Sequence, residues 1–267
     1  MNPSEWPLED LWLSLRDIHP GISVECLPEV DSTNTELGRR VRQGHGDAVL
    51  LAAVSQTAGR GRMGKSWLTP AGGALTFSIG LPLNPPDWSG LSLAIGLTLA
   101  ETLDPAGRLG LGLKWPNDLW HWPQPGPPAK LGGILIETLG VPEQTPGRYC
   151  IVGVGINCHT PRIDTGGIAP LGLDHWGAAP TPGTLLARLA PPLLRTLLDF
   201  EAHGPTAWLS RYAERDVLRG QQVQTSQGQQ GTGRGIDAQG ALLLQTSQGL
   251  VRIDSAEVSV RPLESNP

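Results

Sequence analysis

An apolar run, Ala48 to Val54, leads without a break into Ser55 to Trp67. There three glycines, Gly59, Gly61 and Gly64, alternate with three cations, Arg60, Arg62 and Lys65. The run reads as a buried strand. The segment after it has to be a loop whose glycines allow positive φ and close approach of backbone to a ligand. Interleaved cations make that ligand an anion, since guanidinium forks bind carboxylates and phosphates bidentately. Like charges held together with few apolar contacts predict a mobile loop that an anion would order. A Gly/Arg stretch is equally compatible with a plain solvated basic turn, so the rest of the chain has to decide.

The 267 residues are enough for one large domain, or a large one plus a small one, with a substantial core. A formal net charge of -5 argues against a general nucleic-acid footprint and makes the cations of the loop a local feature. Gly and Pro together are under a quarter of the chain, below the level of low-complexity sequence. The three cysteines, Cys26, Cys150 and Cys158, are scattered without metal spacing and read as reduced, structural thiols. Cys158-His159 lacks a third ligand. Met1 to Arg16 lacks a signal-peptide pattern, and no run of about 18 apolar residues predicts a membrane span. A cytoplasmic protein is expected, with neither DNA nor membrane as partner.

Taken in order, Leu8 to Ile18 has helical spacing and Ile22 to Leu27 alternates as a strand. Asp31-Ser-Thr-Asn34 opens a helix to about Arg42. These residues read as N-caps, or as hydroxyls and an amide offered to a polar ligand at a helix N-terminus. Gly73 to Leu81 is a strand, succeeded by a proline-rich turn from Pro82 to Pro86. Trp88 to Leu103 is a helix packed tightly on a sheet. Leu109 to Lys114 is a strand, and Pro116 ends it or sits at a bulge or edge. Asn117-Asp118 reads as a turn, or as a site for a metal–phosphate group or an adenine. Leu119 to Ala129, with four prolines, is a surface hairpin excursion.

Lys130-Leu-Gly-Gly-Ile-Leu-Ile-Glu137 has glycines inside a strand pattern, which predicts a bulge or close ligand approach at Gly132 and Gly133. Lys130 reads as a residue within reach of that ligand, or as a surface lysine at a strand end. Tyr149 to Gly155 is the next strand, and Val152-Gly-Val-Gly-Ile-Asn157 again removes side chains where something has to fit. Thr184 to Phe200 has helical periodicity that Pro191-Pro192 should split or kink. Pro205 to Glu214 is a short helix with Trp208 and Tyr212. From Val217 onward, short strands and Gly turns predict a small β-barrel or sandwich. The boundary falls near Asp216, and Asp254 and Glu257 read as surface charges of its last strand.

Five signals stand in order: Asp31-Ser-Thr-Asn; Gln56 with Gly-Arg-Gly-Arg-Met-Gly-Lys-Ser-Trp; Lys-Trp-Pro-Asn-Asp; Lys-Leu-Gly-Gly-Ile-Leu-Ile-Glu; and Gly-Val-Gly-Ile-Asn. In this order and at these distances they resemble the biotin–protein ligases over about residues 22 to 262. The resemblance implies an α+β fold: a mixed β-sheet catalytic domain flanked by helices, biotin/lipoate ligase-like (1–216), followed by a small SH3-like β-barrel (217–267). It implies an ATP- and Mg²⁺-dependent enzyme that makes biotinyl-AMP and transfers biotin to one lysine of a biotin carboxyl carrier protein.

By the same resemblance, Ser32, Thr33 and Asn34 lie at the biotin pocket, and Gln56 binds the ureido group. Arg60, Gly61 and Arg62 close over biotin and its adenylate. Lys130 and Arg62 are the catalytic residues, with Lys130 bridging carboxylate and α-phosphate. Gly132 and Gly133 open the backbone to ligand. Lys65, Trp67, Asn117, Asp118 and Asn157 surround the nucleotide together with Lys130. The metal ligands and the oligomeric state, a homodimer included, stay open.

Two departures stand out. The family loop usually has Gly-Arg where this one has Gly64-Lys65, which turns a bidentate fork into a point charge. The proline-rich segment before Lys130 is longer than typical. The N-terminal DNA-binding domain of bifunctional members is not expected here. The rival readings are a lipoate or octanoate ligase of the same fold, and a non-enzymatic biotin-binding module. A P-loop protein is disfavoured, because no Gly-x-x-x-x-Gly-Lys-Ser/Thr occurs.

Overall fold

The structure, a computed structural model, describes residues 6–68, 72–140, 147–163, 167–254 and 260–263. Its first sheet is built from β1 (Ser23–Val30), β2 (Val49–Gln56), β3 (Ala74–Leu83), β4 (Leu111–Lys114), β5 (Asp118–His121), β6 (Ala129–Gly140) and β7 (Arg148–Asn157), with the short β8 (Ala169–Pro170) beside β6. The order is β1-β2-β3-β7-β6-β5-β4. β1 and β2 run parallel, β8 runs parallel to β6, and the remaining neighbours are antiparallel. This is the mixed sheet expected from the sequence.

Helices cover both faces. They are α1 (Leu8–Arg16), α2 (Thr33–Arg42), α3 (Leu91–Leu103), α4 (Pro182–His203) and α5 (Thr206–Tyr212). The run in β2 is apolar at every step because alternate residues enter two different cores. Leu50 and Ala52 join the main core with α1, α3 and α4, whereas Val49 and Leu51 pack with Leu37 and Val41 of α2.

Three local expectations change. Pro82 and Leu83 belong to β3, paired with Tyr149 and Arg148, instead of starting a turn. Asp118 opens β5, so the turn is confined to 115–117. Pro191 and Pro192 do not split their helix: α4 runs unbroken through both. Each interior proline removes an N–H donor and costs about 3 kcal/mol. Against that, Leu185, Leu186, Leu189, Leu193, Leu194, Leu197 and Phe200 are all buried, each contributing roughly 1.5–3 kcal/mol. The Thr98 and Thr196 hydroxyls, 2.8 Å apart, tie α4 to α3.

The C-terminal part is a five-stranded antiparallel sheet, the SH3-like unit, in the order β12-β11-β10-β9-β13. Its strands are β9 (Gln222–Thr225), β10 (Gln230–Ile236), β11 (Leu242–Thr246), β12 (Gly249–Ile253) and β13 (Val260–Pro262). Asp254 comes after β12 and pairs with Arg252 at 2.8 Å, so it is not in the last strand. Glu257 lies outside the described residues.

The two parts share one core, to which Val223, Leu242, Leu244, Ile253 and Val260 contribute. The connector is fixed as well. Leu113 N–H donates to Arg215 O at 2.6 Å and Val217 N–H donates to Leu113 O at 3.2 Å. A Cβ on Gly112 would collide with Val217 Cγ1, so only glycine lets the connector lie against β4. Arg215 grips the buried Asp104 through its carboxylate (3.1 Å) and its carbonyl (2.6 Å). Trp115, fully buried, donates from Nε1 to Gly240 O at 3.0 Å.

One polar feature of this junction is under-satisfied. Asp216 Oδ1 accepts from Leu218 N–H at 2.9 Å, but Asp216 Oδ2 and the facing Tyr212 hydroxyl are sealed without a hydrogen bond of proper geometry. Burial pushes the Asp216 carboxyl up to about 6, opposed by the Leu218 N–H and by Arg219. A folded-state value above the unfolded one means stability is lost as pH rises from about 4 through 6 and stays lower beyond. Asp216→Asn is therefore expected to raise the thermal midpoint at pH 7.5 by about 2–5 °C. It should also flatten the wild-type decline between pH 4 and 6 in a series of melting curves.

Candidate active site

A pocket of about 160 Å³ opens over β3, β6 and β7, between the start of α2, the Gly/cation loop and the 115–117 turn with Asp118 after it. Thirteen of the fifteen residues singled out from the sequence line it: Ser32, Thr33, Asn34, Gln56, Arg60, Gly61, Arg62, Lys65, Trp67, Asn117, Asp118, Lys130 and Gly133. Gly132 and Asn157 are not among the lining residues. A Cβ on Gly132 would meet Gly155 O at 2.6 Å, so this glycine serves strand packing. Asn157 is buried and donates from Nδ2 to Leu171 O at 3.0 Å.

The polar floor is wired internally. Ser32 occupies the N-cap position of α2 without a side-chain cap bond, so capping does not explain this motif. Gln56 Oε1 accepts from the Thr33 backbone N–H at 2.8 Å. Ser78 Oγ, fully buried on β3, is 2.7 Å from both Thr33 Oγ1 and Asn34 Oδ1. Each hydroxyl has one proton: Ser78 donates to Asn34 Oδ1 or to Thr33 Oγ1, and Thr33, whose Oγ1 is also 3.2 Å from Gln56 Oε1, donates to Gln56 or to Ser78. Asn34 Nδ2 donates to Leu135 O at 3.2 Å and to Glu137 Oε2 at 2.9 Å. The Asn34 amide is thus fully engaged by protein.

The glycines of Val152-Gly-Val-Gly-Ile-Asn157 make room for side chains of the chain itself. A Cβ on Gly153 would collide with Asn34 Oδ1, and one on Gly155 would lie 2.6 Å from the Trp67 ring.

The Gly/cation loop folds back on itself. Arg60 and Ser66 form an antiparallel bridge. Gly61 N–H donates to Lys65 O at 2.7 Å, and Trp67 N–H donates to Gly59 O at 2.9 Å. The tip takes two successive left-handed residues, Met63 (φ 56°) and Gly64 (φ 72°). That conformation costs Met63 about 1 kcal/mol or more.

The loop delivers its cations to a common region. Arg62 Nη1 donates to Asn117 Oδ1 at 3.3 Å, and burial lowers the pKa of its guanidinium, opposed by Asp118. Lys130 Nζ is 2.7 Å from Asp118 Oδ1 and 5.9 Å from the Trp67 ring centroid. The missing side chain of Gly133 leaves room for that pair, since a Cβ there would come within 3.4 Å of both atoms.

Sequence reasoning missed Lys114. It ends β4, is 6 % exposed, lines the pocket, and holds Nζ 5.8 Å from the Trp120 ring centroid. Burial above all pushes it down to about 8; Lys130, Lys65 and Arg62 add to this and Asp118 opposes it. The clue was present in the sequence, since Lys114 is the one charged residue in the apolar stretch from Leu109 to Trp115. Among the described residues, five cations (Arg60, Arg62, Lys65, Lys114 and Lys130) therefore line the pocket against one carboxylate, Asp118. In a chain of net charge -5 this is a concentrated anion site.

Residues 26–157 match the Biotin/lipoate A/B protein ligase family, and residues 220–261 match the Biotin protein ligase C terminal domain. The bifunctional ligase/repressor BirA of Escherichia coli is 35% identical over 252 residues, covering 91% of this chain and 76% of that protein. The biotin–[acetyl-CoA-carboxylase] ligase of Paracoccus denitrificans is 32% identical over 250 residues, covering 87% and 98%. The chain belongs to the biotin protein ligase family. Its fold is similar to that of the Aquifex aeolicus biotin protein ligase in complex with biotin and ATP. That match has a TM-score of 0.74 and 27% identity, covering 90% of this chain and 99% of the other.

Lys114 gives this site a measurable signature. Its folded pKa, about 8, lies below the ordinary lysine value of 10.5. Below about pH 8 the folded protein carries the full cost of burying the charge, roughly 3 kcal/mol, and that cost disappears as pH rises from 8 past 10.5. Lys114→Met is expected to raise the thermal midpoint at pH 7, with the gain shrinking towards pH 10. The stabilisation that pyrophosphate confers on the wild type should be smaller in the variant; thermal melts with and without pyrophosphate measure both.

Proposed function

We infer that this chain is an ATP-dependent biotin–protein ligase, which activates biotin as biotinyl-AMP and transfers the biotinyl group to a lysine of a biotin carboxyl carrier protein. The observation that carries this reading is the gathering of five cations and a hydroxyl- and amide-lined floor around one pocket, in a chain whose relatives are biotin ligases. The C-terminal match to the biotin protein ligase unit favours biotin over lipoate.

The chemistry requires such a pocket. In the first step a biotin carboxylate oxygen attacks the α-phosphorus of ATP, and the bond to the bridging oxygen breaks as pyrophosphate leaves. Two anions have to meet, so preorganised positive charge lowers the barrier. Arg62, Lys65, Lys114 and Lys130 are the charges available, with Lys130 set between carboxylate and α-phosphate. Ser32, Thr33 and Gln56 offer the polar contacts for the ureido ring, with Asn34 supporting them from behind. Arg60 and Gly61 form the rim over biotin, Gly133 admits the reacting groups, and Trp67, Asn117 and Asp118 flank the nucleotide. In the second step the carrier lysine nitrogen attacks the acyl carbon and AMP departs. A loop that lies over the adenylate excludes water until then.

A magnesium ion would ride on the phosphates. Among the described residues no cluster of three or more metal-ligating side chains occurs, and Asp118 is the one carboxylate lining the pocket. That donor set suits magnesium, which binds through phosphates and one or two carboxylates. The ion's charge would offset that of the phosphates. We place the division between catalytic and C-terminal units near Asp216, which the pairing of the connector with β4 supports. A cytoplasmic site of action, and a homodimer as an assembly to be tested, complete the reading. No helix among the described residues is long and apolar enough to cross a membrane.

Lys130→Ala is expected to lower biotin-dependent ATP–pyrophosphate exchange by about a hundredfold or more. It should abolish the streptavidin signal on a carrier domain incubated with biotin and ATP. Exchange at the wild-type rate would remove Lys130 from the mechanism.

A further inference from the structure

The side chains beneath the pocket form one continuous chain of hydrogen bonds that ends on the Gly/cation loop. Gln56 is joined to Thr33, Thr33 to Ser78, Ser78 to Asn34, and Asn34 to Glu137 Oε2 at 2.9 Å. The other carboxylate oxygen, Oε1, lies 3.2 Å from Arg60 Nη2. Glu137 therefore has one oxygen in a mostly buried relay and the other on a loop arginine. The loop leaves β2 directly after Gln56, so its start and its first cation are attached to the two ends of the same relay.

We propose that Glu137 is a positioning residue: its carboxylate latches the loop through Arg60 to the side chains that form the pocket floor. The latch couples two events that the ligase reaction has to keep in step, and in that respect it rests on the function inferred above. Anything that displaces Thr33 or Asn34 changes what Glu137 can offer Arg60. Anything that draws Arg60 away leaves the Asn34 amide as the carboxylate's remaining partner among the described residues. Arg60 and Glu137 are both partly exposed, with side chains 49% and 31% accessible. The pair is consequently weak and salt-sensitive, as a releasable latch has to be.

The test is limited trypsin digestion of the full chain without ligands, following cleavage after Arg62 and Lys65 by mass spectrometry, with thermal melting as a control for folding. Glu137→Gln keeps an acceptor for Asn34 Nδ2 and removes the charge held against Arg60. Cleavage of the loop should rise about two- to fivefold, with the melting midpoint unchanged. High salt should bring the wild type up to the variant's rate and leave the variant where it is. In an Arg60→Gln background, which loses the Glu137 pair along with the 3.5 Å contact to Thr35 Oγ1, Glu137→Gln should add nothing, because the pair it removes is already gone. Equal cleavage of wild type and Glu137→Gln at low salt would overturn the proposal, and so would additive effects of the two substitutions. Neither readout needs catalysis. A failed latch and a failed ligase reading are therefore told apart by running pyrophosphate exchange on the same preparations: loss of exchange in the wild type would sink the function and leave the cleavage result standing.

Discussion

The ion pair between Lys130 and Asp118, at 2.7 Å over the bare backbone of Gly133, is the interaction around which the site is arranged. It sets the one carboxylate that lines the pocket among the described residues in the midst of cations that would otherwise repel one another freely. At an effective dielectric near 20, two unit charges about 4 Å apart interact by roughly 4 kcal/mol. Such a cluster persists only if each cation is delivered by a stiff element. Lys130 comes from the paired strand β6, Lys114 from the end of β4 under the connector, and Arg62 from a loop pinned by its own backbone hydrogen bonds and by Asn117. The surplus positive charge is what a carboxylate and a triphosphate need in order to approach each other.

Most of the architecture could be read from the sequence because its signals are local. Alternation and apolar runs located the strands, the change of grammar at Val217 located the second sheet, and the five motifs located the pocket wall. What could not be read depended on partners far away in the chain. Ser78 looks like one more small residue of a buried strand. Its importance comes from Thr33 and Asn34, more than forty positions earlier. Glu137 is linked to Asn34 across 103 positions. Pro191-Pro192 argues locally for a break, yet the leucines on either side bury enough surface to hold one helix through both prolines.

The glycines show the same division. Close approach was the correct physical idea at Gly153 and Gly155, but the groups that approach are Asn34 and Trp67 of the chain itself. At Gly132 the approaching atom is a carbonyl of the neighbouring strand. Gly133 lines the pocket, as Gly153 and Gly155 do, and its missing Cβ makes room for the Lys130–Asp118 pair. Glycine in a strand records that something comes near, and the sequence alone does not say what.

The indole of Trp115 does not line the pocket and reaches into the second sheet, where Gly240 O accepts its hydrogen bond. The two residues on its C-terminal side, Pro116 and Asn117, help to line the pocket. The C-terminal unit therefore helps to buttress this stretch of the pocket wall, through an indole whose acceptor belongs to a tight turn of the second sheet. For chimeras, this means that a foreign barrel grafted onto this catalytic half has to present a carbonyl at that spot as well as apolar side chains for the shared core.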